Sequence, residues 1–298
     1  MPNTPQPVRL HTLLADYPNT IALKKGDVRS PLVTFDFADI KVANQGFKPM
    51  VREQKFDAGE LAIVTYLQAK LYGKPYVLLP AVVMGRGQHH TIAYNAERGT
   101  LRPADLPGRR VGVRAYSQTT GVWLRGILQN DYGVDIGRVT WVTFEDPHLA
   151  EFKDPPNVER QPAGKVMLDM LLAGEIDAAI VGDKLPDDPR VKYLIPDPHA
   201  AAQAWAKKHG FSPVNHFFVV HEKIAKSRPD VLKEIFRLLG ESKTAAKVSA
   251  DPDPLPLGLS AVRSALAQVI DYAVQQRLIP RPFTIDELFD DATRALGA

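Results

Sequence analysis

Apolar and polar positions repeat along this chain with two different periods, and the period changes again and again. VRLHTLL (8–14) and LVTFDFADI (32–40) alternate residue by residue, the mark of half-buried strands. KFDAGELAI (55–63) leads into VTYLQAKLYG (64–73), helical in period and closed by Gly73 with Pro75 two residues on. YVLLPAVVM (76–84) is continuous enough to be a buried strand, and HTIAYN (90–95) is another. After the turn-rich RPADLPGRR (102–110), RVGVRAY (110–116) predicts a strand and SQTTGVWLRGILQNDYG (117–133) a helix. Its apolar stripe is Val122, Trp123, Ile127 and Leu128; Ser117, Thr119 and Thr120 can cap its start, and Gly133 ends it. VTWVTF (139–144) is a strand, KVMLDMLLAGEIDAAIVGDK (165–184) a helix, a glycine stop and a strand, and NHFFVVHEKI (215–224) a strand with a tail. Beyond Pro229 the pattern is helical, broken by DPDPLPLG (251–258).

Strands that alternate with helices predict parallel βαβ units. The polar boundary near 96–108 and the late strand near 215–220 predict two α/β lobes, with the chain crossing between them twice. Residues 1–97 and 217–298 would form one lobe and 98–216 the other. Ligands of open α/β sheets sit at the carboxyl ends of strands, often over helix N-termini, so the cleft between the lobes is the expected pocket.

Composition changes this picture little, but it excludes chemistry. At 298 residues the chain can bury a large core. With no cysteine, disulfides, thiolate metal sites and a cysteine nucleophile are out. The net charge of +3 gathers into no basic block, so nucleic acid is not an expected partner. The opening MPNTPQPVRLHTLLADYPN lacks a basic segment followed by an apolar one, and no apolar run reaches the ~20 residues that cross a bilayer. The expectation is a cytoplasmic protein without membrane partners; assembly into a homo-oligomer is compatible with the sequence and not specified by it.

The strand-end rule picks out the polar candidates. Asp16, Tyr17, Asn19 and Thr20 follow the first strand, Glu60 lies where a strand becomes a helix, and Arg86, His89 and His90 lie between two strands. Tyr116, Ser117, Gln118, Thr119 and Thr120 follow RVGVRAY, Asp183 follows DAAIVG, and His216 sits at the second crossover. A helix start at 117–120 offers unpaired N–H donors and positive potential to a carboxylate or phosphate, although capping alone accounts for its serine and threonines. GRG at 85–87 fits neither GxGxxG nor GxxxxGK[ST], so it is a turn rather than a phosphate loop. Adjacent strand residues face opposite sides, so His89 and His90 do not share a metal ion, and one of them is free for acid–base work or for a structural hydrogen bond.

FDAGELAIVTYL (56–67), the Arg86–His90 segment, LRPADLPGRRVGVRAYSQTTGVWLRGILQNDYGV (101–134), LDMLLAGEIDAAI (168–180) and HGFSPVNHFFVV (209–220) together resemble the 4,5-dihydroxyphthalate decarboxylase family. The resemblance covers roughly residues 8–245. Glu60, Arg86, His90, Thr119, Trp123 and His216 match in place; His89 stands where the family has arginine and Ala115 where it commonly has glutamate. It implies an α/β, two-lobed type-2 periplasmic-binding-protein-like fold with the ligand cleft between the lobes. It also implies a carboxy-lyase acting on a hydroxylated aromatic carboxylate, with no organic cofactor. On that reading His90, Glu60 and His216 are catalytic. Arg86, His89, Tyr116, Ser117, Gln118, Thr119, Thr120 and Asp183 bind the substrate. A divalent metal held by His90 and a carboxylate is a variant of this scheme, and the competing reading is a non-catalytic solute-binding protein of the ABC-transporter type for a small carboxylate or aromatic ligand.

Overall fold

The computed structural model describes residues 7–297; Met1–Gln6 and Ala298, which the sequence reading places in the first lobe, lie outside the described residues. The elements run β1 (Val8–Leu13), α1 (Ile21–Lys25), β2 (Val33–Phe37), α2 (Asn44–Glu53), β3 (Ala58–Ala62), α3 (Ile63–Leu71), β4 (Tyr76–Gly85) and β5 (Ile92–Asn95). They continue with β6 (Arg110–Val113), α4 (Thr119–Tyr132), β7 (Thr140–Thr143), β8 (Val158–Arg160), α5 (Met167–Ala173), β9 (Ala178–Ile180), β10 (Val191–Tyr193) and α6 (Pro198–His209). The chain ends through β11 (Val214–His221), α7 (Glu222–Ser227), α8 (Pro229–Ala245), α9 (Leu259–Gln275) and α10 (Asp291–Arg294).

Two sheets result, ordered β2-β1-β3-β11-β4 and β10-β5-β9-β6-β7-β8. They are mixed rather than wholly parallel. The pairs β1–β2, β1–β3, β6–β7, β6–β9 and β7–β8 are parallel, as short βαβ links require. The strands next to the crossings, β11 and β5, pair antiparallel with their neighbours. The lobe boundary also moves. The sequence places residues up to 97 in the first lobe, but β5 pairs with β9 and β10 of the second sheet. The turn-rich 102–110 stretch therefore joins two strands of one sheet and is not the crossing. The return crossing comes at Val214, where β11 begins pairing with β4, slightly before the expected 217.

Local chemistry explains most element ends. Gly133 and Gly174 take left-handed conformations at the ends of α4 and α5, where a side chain would be strained. Pro80 is tolerated in β4 because that strand is at the sheet edge, where its carbonyl accepts from Gly258 N at 2.8 Å. Helix α2 was not legible: Gly46 and Pro49 both lie inside it. Gly46 is needed because a Cβ there would sit 2.6 Å from the Leu13 methyls.

The main core runs from Leu13 and Phe47 through Ile63, Val113, Trp123 and Phe217 to Leu266, so one hydrophobic cluster spans both sheets. Smaller clusters lie under α8 on the first sheet and under α5 on the second. Helix α9 packs on both α3 and α4 and so bridges the lobes. Its closest approach is at Gly126, where a Cβ would stand 2.0 Å from the Tyr272 ring. Gly126→Ala should therefore destabilise the protein by about 1–3 kcal/mol through overpacking, despite the ~1 kcal/mol that alanine gains in a helix. A lower urea midpoint for the variant checks this; an unchanged or higher midpoint rejects the packing account.

Candidate active site

The centre of the first sheet carries a charge in an otherwise apolar strand. Glu60 in β3 is fully buried, a placement that costs several kcal/mol unless every oxygen is bonded. Its Oε1 accepts Ala15 N at 2.6 Å, and its Oε2 accepts Tyr17 Oη–H at 2.9 Å and His216 Nδ1 at 2.7 Å. The sheet register produces this directly: Glu60 lies opposite Phe218, so His216, two residues earlier on β11, shares its face. Gly59 allows it, because a Cβ there would meet the Leu13 carbonyl oxygen at 2.2 Å. With the carboxylate as acceptor, Nδ1 carries the proton and Nε2 is the imidazole's free edge. Burial first, then Glu60, pushes the Tyr17 hydroxyl far above its ordinary range, so it stays a donor. Phe47 of α2 sets its ring edge against His216 at 5.1 Å and 87°.

The first crossing forms the next wall. Arg86 pairs with Asp183 of the second lobe, and His90 Nε2 lies 3.3 Å from the same carboxylate. Arg86 also bears electrostatically on Tyr17. Burial would raise the Asp183 carboxyl, but Arg86 and His90 outweigh it and hold it below the ordinary range. His90 stacks on His199 of α6 at 5.2 Å, and its burial lowers its pKa despite Asp183. Gln88 ties the two crossings together, donating to Arg86 O at 2.8 Å and to Asn215 Oδ1 at 2.9 Å.

The second lobe presents the start of α4. Gln118 is its N-cap residue, and no side chain caps the helix. The expected capping by Ser117, Thr119 and Thr120 does not occur, because the threonine hydroxyls are used across the cleft. Thr119 Oγ1 accepts Val64 N from the first turn of α3 at 3.3 Å, and Thr120 Oγ1 accepts Asn215 Nδ2 at 3.4 Å. Ser117 is buried beside them, and Gln118 Oε1 is buried without a partner. Two helix N-termini, of α3 and α4, thus meet at one place, which suits an anion.

Two expected ligand-binding residues turn elsewhere. Tyr116 Oη donates to Gln276 O at 3.3 Å and its ring lies 4.0 Å under the Arg125 guanidinium, because this side chain fills the α4–α9 interface. His89 is 2% exposed and packs near Tyr132, at the far end of α4. Glu60 itself is a partner for other side chains rather than a group with a free edge. The pair His89–His90 sits on a 3-10 turn rather than on a strand, and the two rings still part company as expected. Among the described residues no group of three or more His, Cys, Asp or Glu comes together at metal-binding spacing.

One residue was missed. His148, in the loop after β7, is 4% exposed. Its Nδ1 lies 2.7 Å from Thr65 Oγ1 of α3, Phe47 meets its ring edge-on at 5.4 Å, and Arg52 Nε donates to its carbonyl at 2.8 Å. The strand-end rule, applied to VTWVTF, would have found it.

These features define a two-lobed α/β protein of the periplasmic-binding-protein fold with a polar cleft at the strand ends. The fold matches the alkanesulfonate-binding protein SsuA of Xanthomonas axonopodis pv. citri, with TM-score 0.63, 17% identity, and 96% of this chain and 99% of that one covered. It matches the periplasmic aliphatic sulphonate-binding protein SsuA of Escherichia coli with TM-score 0.60 and 13% identity over 99% of this chain and 95% of that one. No protein-family model matches the chain. Sequence similarity is more particular: 33% identity over 174 residues to a 4,5-dihydroxyphthalate decarboxylase of Pseudomonas putida, covering 54% of this chain and 67% of the relative. A 4,5-dihydroxyphthalate decarboxylase of Comamonas testosteroni is 32% identical over 208 residues, and the match spans 65% of this chain and 63% of that protein. The chain belongs to the 4,5-dihydroxyphthalate decarboxylase family.

The buried histidines make stability depend on acidity. Burial lowers His89 to about 4, and burial with nearby cations lowers His148 to about 3. The unfolded chain, whose histidines titrate near 6.5, binds more protons below that pH, so stability is complete above pH 6.5 and lost as pH falls toward 4. Each histidine contributes up to about 1.4 kcal/mol per pH unit in that window. Urea unfolding should show His89→Gln losing about 2 kcal/mol less than wild type between pH 6.5 and 4.5; equal losses reject the assignment.

Proposed function

We propose that this protein is a carboxy-lyase that decarboxylates a hydroxylated aromatic carboxylate of the 4,5-dihydroxyphthalate type. The observation that carries the reading is the Glu60–His216 pair: a buried carboxylate holds one imidazole by Nδ1 and leaves Nε2 without a hydrogen-bond partner among the described residues. Capturing an anion needs no such arrangement, whereas delivering a proton to a carbon does.

The net change is replacement of a ring carboxylate by hydrogen. A hydroxyl para to the carboxylate donates electron density to the ring. The ring carbon bearing the carboxylate takes a proton delivered from Nε2 of His216. The carbon–carbon bond then breaks, its electron pair restores the aromatic ring, and CO₂ leaves. Electron supply comes from the substrate's own oxygen, so the step calls for no organic cofactor. Arg86 and the facing N-termini of α3 and α4 support binding of the retained carboxylate. His90 was the favoured proton donor from sequence; its engagement with Asp183 and His199 supports instead a place in holding Arg86 and closing the cleft. Tyr17, a donor fixed on Glu60, keeps that carboxylate in register with His216.

The solute-binding alternative rests on the fold neighbours named as sulfonate-binding proteins. The two readings separate on one measurement, CO₂ release from 4,5-dihydroxyphthalate and other dihydroxybenzoates by the purified protein. Turnover is expected, with kcat reduced about 10²–10⁴-fold in His216→Gln and about 10–100-fold in Glu60→Gln. Binding without CO₂ release across that panel would overturn the enzymatic reading, and full activity in His216→Gln would overturn the role of this histidine.

A further inference from the structure

We propose that a hollow at the β2 edge of the first sheet is a second binding site, for a small molecule that carries one anionic head on an apolar body. The hollow, about 300 Å³, lies between α1, the loop that follows it, β2 and α8, and shares no residue with the candidate active site. Its floor is apolar. Leu23, Val33 and Leu238 are buried there, while Phe35 and Phe37 stay half-buried, their rings stacked with centroids 5.5 Å apart. Residues 33, 35 and 37 share one face because side chains alternate along a strand. Two phenyl rings left partly in water on a concave surface gain from being covered, which is what an apolar ligand does.

Charge decides the other half of the ligand. Lys24, Lys25 and Arg29 line the hollow, and no acidic residue does. Lys24 is already engaged: it pairs with Asp16, donates to Leu14 O at 2.8 Å and stands over the Phe37 ring. Lys25 and Arg29 are different. Neither has a carboxylate partner among the described residues, and Arg29 spends only its Nε, on Gly26 O. The nearby acids are taken, Asp16 by Lys24 and both Glu234 and Glu241 by Arg237. Asp27, next after Gly26, is exposed and does not line the hollow. The walls are fixed before a ligand arrives. Leu23 N donates to Ser242 Oγ at 3.2 Å and Arg237 Nη2 to Arg29 O at 3.1 Å, so α8 holds both α1 and the loop after it. Two uncompensated cations beside an apolar floor are matched by a carboxylate or sulfonate on a short chain or a fused ring pair. A bare anion would leave the rings wet, and a hydrocarbon would leave the charges unmet.

Octanoate and 2-naphthoate are the probes, one for a chain and one for a ring, and isothermal titration of the full chain reads their affinities. Octan-1-ol and 2-naphthol, which lack the charge, and acetate, which lacks the apolar body, are the controls. At least one of the two acids should bind with one molecule per chain, about tenfold or more tighter than its alcohol and than acetate. Replacing both exposed cations, Lys25→Gln with Arg29→Gln, should bring the acid down to the affinity of its alcohol. Val28→Trp, which fills the hollow from the loop after α1, should abolish binding and decides the question should the double variant fail to fold. His216→Gln, in the candidate active site, should leave the affinity unchanged. No binding of either acid, equal affinity for acid and alcohol, or undiminished binding in the double variant overturns the site. Loss of binding in His216→Gln places the ligand in the cleft and overturns it as well.

Discussion

Everything at the strand ends depends on keeping one carboxylate fully hydrogen-bonded in the middle of a buried strand. Glu60 has no water to solvate it, and desolvating such a charge costs more than an ordinary packing contact returns. The three donors that compensate it come from separate places in the chain: Ala15 and Tyr17 after β1, and His216 on β11. The hydrogen bonds therefore fix the loop after the first strand, the third strand and the returning crossover relative to one another. Removing any one donor leaves part of a buried charge unmet, so the network acts as a unit. Its by-product is an imidazole whose orientation and tautomer are determined before any ligand arrives.

The lobes are joined by two kinds of contact with different consequences. The core that runs through Trp123 and α9 is apolar and continuous, and the Trp123 indole donates to Val214 O at 2.7 Å, anchoring the start of β11. The contacts at the cleft mouth are polar and few: Arg86 to Asp183, Thr119 to Val64, Thr65 and Arg52 to His148. Polar contacts of this kind exchange readily for water, while the apolar seam does not. Opening about the Gly85–Thr91 and Pro213–Asn215 crossings would therefore break these hydrogen bonds and leave the apolar seam in place. Asp183 has a particular place here, because it occupies the guanidinium that would otherwise receive a ligand carboxylate.

Most of the secondary structure was legible because local signals agreed with the fold. The period of residues 117–133, its apolar stripe and Gly133 describe α4 almost to the residue. Where local and tertiary demands conflict, the reading failed. Helix α2 contains Gly46 and Pro49, both poor helix formers, and exists because its buried face packs against Leu13. Missing α2 meant missing Phe47 and Lys48, and with them the neighbourhood of His148. The parallel expectation failed at β5 and β11 because a chain that crosses between sheets enters each one from the opposite direction. Tyr116 shows a different limit: its position at a strand end was correct, but which way a side chain turns is settled by a distant partner, here Gln276 and the Arg125 guanidinium. Glu60 was visible as a charge in an apolar run, yet its threefold bonding needed the β3–β11 register, which no local pattern encodes.

Four of the histidines in this region have surroundings that divide the chemistry among them. His89 is buried near the end of α4 and has no bonding partner for Nδ1, so it is a core residue that makes the fold acid-sensitive. His90 is held between a carboxylate and a second imidazole, which suits a group that stabilises the closed arrangement around Arg86. His148 is buried against a threonine hydroxyl, and burial with nearby positive charge keeps its ring neutral near pH 7. His216 is held through Nδ1 by a fully buried carboxylate at 2.7 Å and makes no hydrogen bond through Nε2 among the described residues, the arrangement that lets an imidazole be aimed at a substrate. Environments that push like groups toward different protonation states are how a single fold separates acid from anchor. By that argument the residue to follow is not the conspicuous pair at 89–90 but His216, whose importance comes from a strand pairing 156 residues away in sequence.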